Sequence, residues 1–274
     1  MLSVNTNYGA YVALQNLNAT NKLLNDTQNH INTGLKIAGP KDNGAVFAIA
    51  EGLRADVQSL GAVTNSLDRA TSAVDTAIAG GQAVSDLLKE MKEKALAAKD
   101  TTIDANTRAA YNADFTALRD QITTILDNAS FDGTNLLDGS TAQISALANA
   151  AGDSFITASA QDLSLSGSIV SLTSTATIST STKASSALST IDASIDALGL
   201  ALANLGTDSK KLSIHKNFVG KLADELKNGI GNLVDADLAT ESAKLQALQT
   251  KQQLGIQALS IANQAPTTLL ALFR

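Results

Sequence analysis

The sequence predicts a mainly α fold: an elongated antiparallel coiled-coil helical bundle with a small β-rich insert at the hairpin end. Three observations predict it. Apolar residues recur every seven positions along several stretches, which keeps one stripe of each helix facing a partner. Only 3% of the residues are aromatic and none is Trp, so the 44% hydrophobic content suits helices lying side by side. One internal stretch, and only one, loses this period and becomes rich in Ser and Thr.

The first helix carries Leu14, Leu17, Leu24 and Ile31 on its apolar face, and Lys22 and Asp26 are its only acid and base before Lys36. The second follows the series Val46, Leu53, Leu60, Leu67, Val74, then Leu88 and Ala95, with a bend expected at Gly80-Gly81. A third, shorter helix fits Tyr111, Leu118 and Ile125, with Phe115 and Ile122 on the offset positions, and ends near Asn128. The segment FDGTNLLDGS supplies turn chemistry. After it, alternations at 162–166 and 175–178 predict short exposed strands.

The fourth helix has the clearest stripe: Ile191, Leu198, Leu205, Leu212, Val219, Leu226 and Leu233, with Leu188, Ile195 and Leu202 completing a two-position seam. The fifth shows Leu238, Leu245, Leu248, Leu259 and Leu269, and only Lys251 and Arg274 are charged beyond Lys244. Both terminal helices therefore have polar faces of Asn, Gln, Ser and Thr, suited to partial burial. The stretch 86–120 is dense in both signs, as a helix facing water is. Folding this order back on itself predicts three regions: 1–40 with 235–274, a helical rod from 41–138 with 184–234, and the insert 139–183. A helix of about 55 residues would be roughly 80 Å long.

Composition also sets exclusions. A net charge of −6 without a Lys/Arg run gives no footprint for nucleic acid. The opening segment has no cation before Lys22 and is rich in Asn, so it does not read as a cleaved secretory signal. No uninterrupted apolar run of about 18 residues is evident, and no membrane insertion is expected. The chain lacks Cys. His30 and His215 read as surface positions on different helices, with no metal-binding context. Asp235 and Asp237 read as acids capping the last helix instead of a catalytic pair. Gly229-Ile230-Gly231 reads as a helix break, and Lys89, Glu90, Lys92, Glu93 and Lys94 as a solvated, self-paired face. No nucleophile-base set or cofactor loop appears, so neither enzyme activity nor a cofactor is expected.

Several segments resemble the bacterial flagellins. They are LSVNTNYGAYVALQNLNATN at the start, INTGLKIAGPKDNGAVFAIAEGLRA after it, the turn FDGTNLLDG, and DADLATESAKLQALQTKQQLGIQALSIANQAPTTLLALFR at the end. Pro40 and Asn43 depart from the family loop. Glu90 stands where some members carry an arginine read by an animal innate immune receptor, so that recognition is not carried over.

The resemblance implies an extracellular homopolymer, the flagellar filament, built from subunits exported unfolded by the flagellar type III route. It implies an export chaperone, hook-filament junction and cap proteins as partners, and sister flagellins sharing the filament. The terminal helices would pair as the filament core through Leu14, Leu17, Leu24, Ile31, Leu238, Leu245, Leu248, Leu259, Leu269 and Phe273. The rod seam would be Leu53, Leu60, Leu67, Val74, Ile191, Leu198, Leu205, Leu212, Val219 and Leu226. The Ser/Thr run, with Ser164, Ser171, Thr173 and Thr177, would be either a plain solubilising loop or an O-glycosylated surface as in some family members. A junction protein would share the helices but not the carboxy-terminal match, and a cytoplasmic coiled-coil scaffold would explain the heptads alone.

Overall fold

A computed structural model describes residues 6–271, with side chains as far as Gln264. The elements are α1 (Tyr8–Thr33), α2 (Pro40–Lys99), α3 (Ala105–Asn128), β1 (Ser130–Phe131), β2 (Thr134–Asn135), β3 (Gln143–Leu147), β4 (Phe155–Ser159), α4 (Ser181–Val234) and α5 (Leu238–Ala271). The fold is mainly helical. Its strands form two antiparallel hairpins, β1-β2 and β3-β4. The chain divides into two compact units, 1–55 with 225–274 and 56–224; α2 and α4 contribute to both, and residues 139–183 fall in the second.

The core of the second unit follows directly from the heptads. On α2, Leu60, Val63, Leu67, Ala70, Val74, Ala77, Gly81, Val84, Leu88, Met91, Ala95 and Ala98 are buried, and their spacing alternates between three and four. On α4 the same rhythm buries Ala184, Ala187, Ile191, Ser194, Leu198, Ala201 and Leu205, followed by Leu212 and Val219. Leu53 and Leu226 are half-buried. The two stripes run antiparallel, because Asp68 meets Lys216, Asp75 meets Ser209 and Lys92 meets Asp192, one number rising as the other falls. Ser194 is tolerated inside because its hydroxyl donates to the Thr190 carbonyl at 2.8 Å. α3 adds Phe115, Ile122 and Leu126; its offset positions are buried while Tyr111, Leu118 and Ile125 are only half-buried.

Several expectations are corrected here. At Gly80-Gly81 α2 continues as unbroken helix with helical backbone angles. These glycines instead give room for neighbours: a Cβ on Gly80 would lie 2.9 Å from Leu137 Cδ1 and 3.0 Å from Ala129 Cβ, and one on Gly81 would lie 2.7 Å from Leu202 Cδ2. The interruption in α2 is at Asn43 (φ −159°, ψ 100°), whose side chain accepts from the Val46 amide at 3.2 Å as an N-cap. Gly229-Ile230-Gly231 does not break α4, which runs on to Val234. The most apolar part of α4 is an 18-residue window of mean hydropathy 1.3, interrupted by polar residues. Its apolar side chains supply the buried stripe just described.

The strands also sit elsewhere than expected. Residues 162–166 form a turn, because the Ser164 amide and hydroxyl both donate to Asp162 Oδ1. Leu163, Val170, Leu172 and Ile178 are buried plugs of an irregular segment instead of alternate members of a strand. That segment is pinned to α3 by Arg119 donating to the Ala176 carbonyl and by the Ile178 amide donating to Asn112. The true hairpin β3-β4 is bracketed by Ser66, which accepts from the Leu147 amide, and by Asp208, which accepts from the Ser159 amide. His215 is not a free surface group: its Nε2 lies 2.7 Å from the Ala148 carbonyl beyond β3, and its ring is tilted 5.7 Å from Phe218. The lysine-rich face of α2 is self-paired only in part. Lys89 meets Asp86, while Lys92 and Lys94 reach Asp192 on α4 and Asp114 on α3.

Candidate assembly surface

The first unit is built on α1 and α5, whose pairing is fixed by four contacts. Asn7 Nδ2 donates to the Ala262 carbonyl at 2.6 Å, Gln252 Nε2 donates to Asn21 Oδ1 at 2.8 Å, and His30 Nδ1 lies 3.7 Å from Glu241 Oε2. Gly255 comes so close to Leu17 that a Cβ would sit 3.3 Å from its Cδ1. Rising numbers on α1 meet falling numbers on α5, so the helices are antiparallel. The α5 seam reads Glu241, Leu245, Leu248, Gln252, Gly255, Leu259 and Ala262, all buried or half-buried at alternating spacings of four and three. The α1 seam reads Ala10, Ala13, Leu17, Thr20, Leu24, Thr27 and Ile31 in the same rhythm.

Polar residues therefore occupy four of these fourteen seam positions: Thr20, Thr27, Glu241 and Gln252. Thr20 and Thr27 are buried, and the Thr20 hydroxyl satisfies itself on the Asn16 carbonyl at 2.8 Å. Glu241 is buried too; the Lys244 ammonium 2.7 Å from its carboxylate, with His30 nearby, holds it below the usual carboxylate range despite burial. His30 is half-buried and its Nδ1 has no hydrogen-bond partner, which corrects its reading as a plain surface residue. Counting apolar residues alone could not find Thr20, Thr27, Glu241 or Gln252. The heptad register would have found them once polar members were admitted.

The ends of the pair are clamped. Gly34 closes α1 in the left-handed region (φ 72°), its amide donating to the His30 carbonyl. The following residues bridge to the α4-α5 connection: the Lys36 amide donates to the Val234 carbonyl at 2.7 Å and the Ala236 amide to the Gly34 carbonyl at 2.8 Å. Asp237 then starts α5, accepting from the Ala239 and Thr240 amides and from the Thr240 hydroxyl at 2.6 Å. The Thr240 bonds hold its carboxylate below the usual range. Asp235 lies in the bridge itself, opposite Leu35.

The outer faces of the pair are left uncovered. Tyr8 is 80% exposed, Tyr11 65%, Leu254 60% and Ile261 69%; Val12, Leu14, Leu23, Leu238 and Ile256 are also exposed. Of the residues expected in an interface, Leu17, Ile31, Leu245, Leu248 and Leu259 are half-buried and Leu24 is buried within the pair, whereas Leu14 and Leu238 face outward. Leu269 lies on the described backbone of α5, and Phe273 is outside the described residues. In the second unit, Ser171 and Thr173 are exposed while Ser164 and Thr177 are half-buried. Among the described residues no group of acids and histidines is arranged to hold a metal.

A charge-poor helix pair that shows this much apolar side chain on one unit defines a structural subunit, one that completes its packing on other chains. The bacterial flagellin N-terminal helical region matches residues 4–142, and the bacterial flagellin C-terminal helical region matches 188–273. Flagellin FljK of Caulobacter vibrioides is 52% identical over 99% of this chain and 98% of its own length, and a Brucella melitensis flagellin is 34% identical over the whole of both chains. A solved structure described as a flagellar hook-associated protein of Vibrio parahaemolyticus shares the fold, with a TM-score of 0.55, 12% identity, and coverage of 71% of this chain and 100% of that one. The chain belongs to the bacterial flagellin family. It is a structural subunit of the extracellular flagellar filament and not an enzyme.

Proposed function

We propose that this subunit polymerises through the outer faces of the α1-α5 pair, and that Leu14, Leu17, Leu24, Ile31, Leu238, Leu245, Leu248, Leu259, Leu269 and Phe273 carry or support the filament-core interface. The observation that carries the reading is the set of large apolar residues left exposed on the pair, from Tyr8 and Tyr11 to Leu254 and Ile261. Burial of one such side chain is worth about 1.5–3 kcal/mol. The faces around them are amides and hydroxyls, which pack without the several kcal/mol that desolvating an unpaired charge costs.

In this reading the terminal pair is the core segment (1–40 with 235–274), residues 41–138 with 184–234 form the rod with its heptad seam from Leu53 to Leu226, and 139–183 forms the outer insert. The terminal helices are disordered before assembly and order on the growing end. Export is in the unfolded state, with an export chaperone, hook-filament junction proteins, a cap protein and sister flagellins as partners. Of the four hydroxyls named in the Ser/Thr run, Thr173 is the one most open to O-glycosylation; the Ser171 hydroxyl lies 3.4 Å from that of buried Ser194, and Ser164 and Thr177 are partly covered. The test is sedimentation after adding short filament seeds, comparing the full chain with one lacking residues 238–274. Long tubes from the full chain and a soluble truncation are expected; equal pelleting of the truncation would remove α5 from the polymerisation role.

A further inference from the structure

The outer side of the α1-α5 pair contains an unfilled slot of about 260 Å³ lined by Ala13, Asn16, Leu17 and Thr20 of α1 and by Lys251, Leu254, Gly255 and Ala258 of α5. Small residues make it. Ala13 and Ala258 withhold bulk, and Gly255 brings the α5 backbone within 3.3 Å of Leu17 for any added Cβ. The walls are apolar, while the rim carries Asn16 and the Lys251 ammonium, the single charge between Lys244 and Gln264. Among the described residues no carboxylate pairs with Lys251.

The same unit carries two large side chains that its own packing does not use, Tyr8 and Tyr11. They stand one turn apart on α1. At 100° per residue, Tyr11 is about 160° around the helix from Ala13, and Tyr8 is on that same far side. The slot and the tyrosines therefore lie on opposite faces of one helix, and a subunit has no way to fill its own slot.

We propose that the slot receives a tyrosine of α1, Tyr11 foremost, from a second copy of this chain. The inference rests on the polymerisation reading above and names the contact that makes growth directional. A tyrosine suits the slot better than an exposed leucine, because its ring fills the apolar walls while its hydroxyl reaches the Asn16 amide and the Lys251 ammonium at the rim. In a contact between unlike faces of identical chains each added copy covers one slot and presents another, and the series stays open wherever the rotation between copies does not bring the last back to the first. Open-ended growth then rests on two features that face away from each other.

The experiment is elongation from wild-type seeds, read by light scattering, with the full chain. Ala258→Leu fills the slot from an exposed position, and Tyr11→Ala removes the knob; each is expected to slow elongation at least tenfold while far-UV circular dichroism of the soluble chain is unchanged. If both variants elongate within twofold of wild type, the slot is not an acceptor and the proposal fails, although polymerisation through the pair stands. If the wild-type chain does not elongate, the underlying reading fails instead. Because the chain has no cysteine of its own, a second measurement decides the matter even if Ala258→Leu disturbs the helix pair. Chains carrying Tyr11→Cys and chains carrying Ala258→Cys are doped together into wild-type filaments and oxidised. A mixed disulfide between the two chains is expected in filaments and not in dilute monomer; filaments without it overturn the contact.

Discussion

Alanine at Gly80 and alanine at Gly61 test whether α2 uses its glycines for close approach or merely tolerates them. Both positions lie inside the same helix in the second unit, so the gain from replacing glycine by alanine, about 1 kcal/mol of helix propensity, is common to both. They differ in surroundings. Nothing lies within 4 Å of a Cβ on Gly61, whereas one on Gly80 would sit 3.0 Å from Ala129 Cβ and 2.9 Å from Leu137 Cδ1. Leu137 is fully buried, and Ala129 Cβ moves only with the backbone at the end of α3. Overpacking of this kind costs roughly 1–3 kcal/mol. Gly61→Ala is therefore expected to stabilise by about 1 kcal/mol and Gly80→Ala to be between neutral and about 2 kcal/mol destabilising. In a unit of this size a kcal/mol moves the Tm by roughly 2–4 °C. Thermal unfolding of the soluble chain at 222 nm should place Gly80→Ala clearly below Gly61→Ala, with wild type between them or near the former. Equal rises in Tm for both variants would refute the close-packing account of Gly80.

Three further outcomes follow. Phe115→Ala empties a fully buried site on α3 and should cost about 3–5 kcal/mol in urea unfolding; a loss under 1 kcal/mol would mean that α3 is not part of the second unit's core. In assembled filaments Gly34→Ala forces a side chain into the left-handed region and should cost roughly 1–2 kcal/mol, with faster amide exchange at Ala236, whose partner is the Gly34 carbonyl; unchanged exchange there would contradict the clamp. For pH, the carboxylates of Glu241 and Asp237 titrate below their usual range in the folded chain. Their stabilisation is complete above the unfolded-state value of roughly 4–4.5 and is lost as pH falls through the lower folded-state values. Glu241→Gln should therefore make assembled filaments less stable near neutral pH and flatten the acid limb of their stability profile, and an acid limb as steep as that of wild-type filaments would remove Glu241 from that role.

The helices were legible because leucine, isoleucine and valine at every seventh position admit few other readings. Leu60, Leu67, Val74 and Ile191 to Val219 mark α2 and α4, and they are the residues found buried. What the heptads misplaced or missed was the other half of each seam: on α4 it was expected at Leu188, Ile195 and Leu202, which are half-buried, and lies at Ala187, Ser194 and Ala201. Ala70, Ala77, Ala98 and Ala201 fill it with side chains that look neutral in composition, and Thr20, Thr27 and Glu241 fill it on the terminal pair with groups that look like surface. Gly80-Gly81 suggested a bend because a glycine pair relaxes an isolated helix, yet here the helix runs on through it with Leu137, Ala129 and Leu202 packed close against the pair. The strand assignments failed for a related reason. The alternation at 162–166 satisfies a two-residue period, but Asp162 captures the Ser164 amide and hydroxyl and turns the chain, while QISAL and FITAS, with weaker alternation, pair because Ser66 and Asp208 anchor their hairpin.

The clamp at Gly34 to Ile37 against Val234 to Ala236 has a consequence for what this chain can tolerate. It joins two points nearly 200 residues apart in sequence at the roots of the terminal pair. Whatever lies between those points begins and ends at one doorway. Lengthening that enclosed stretch leaves the span required of α1 and α5 unchanged, and the added cost of closing a longer loop is small, about 0.6 kcal/mol for a doubling. Variation is therefore cheap on one side of the doorway and expensive on the other, where each terminal residue must keep its register with a partner. A lineage of such subunits can change what it shows to the outside while the part that joins copy to copy stays fixed.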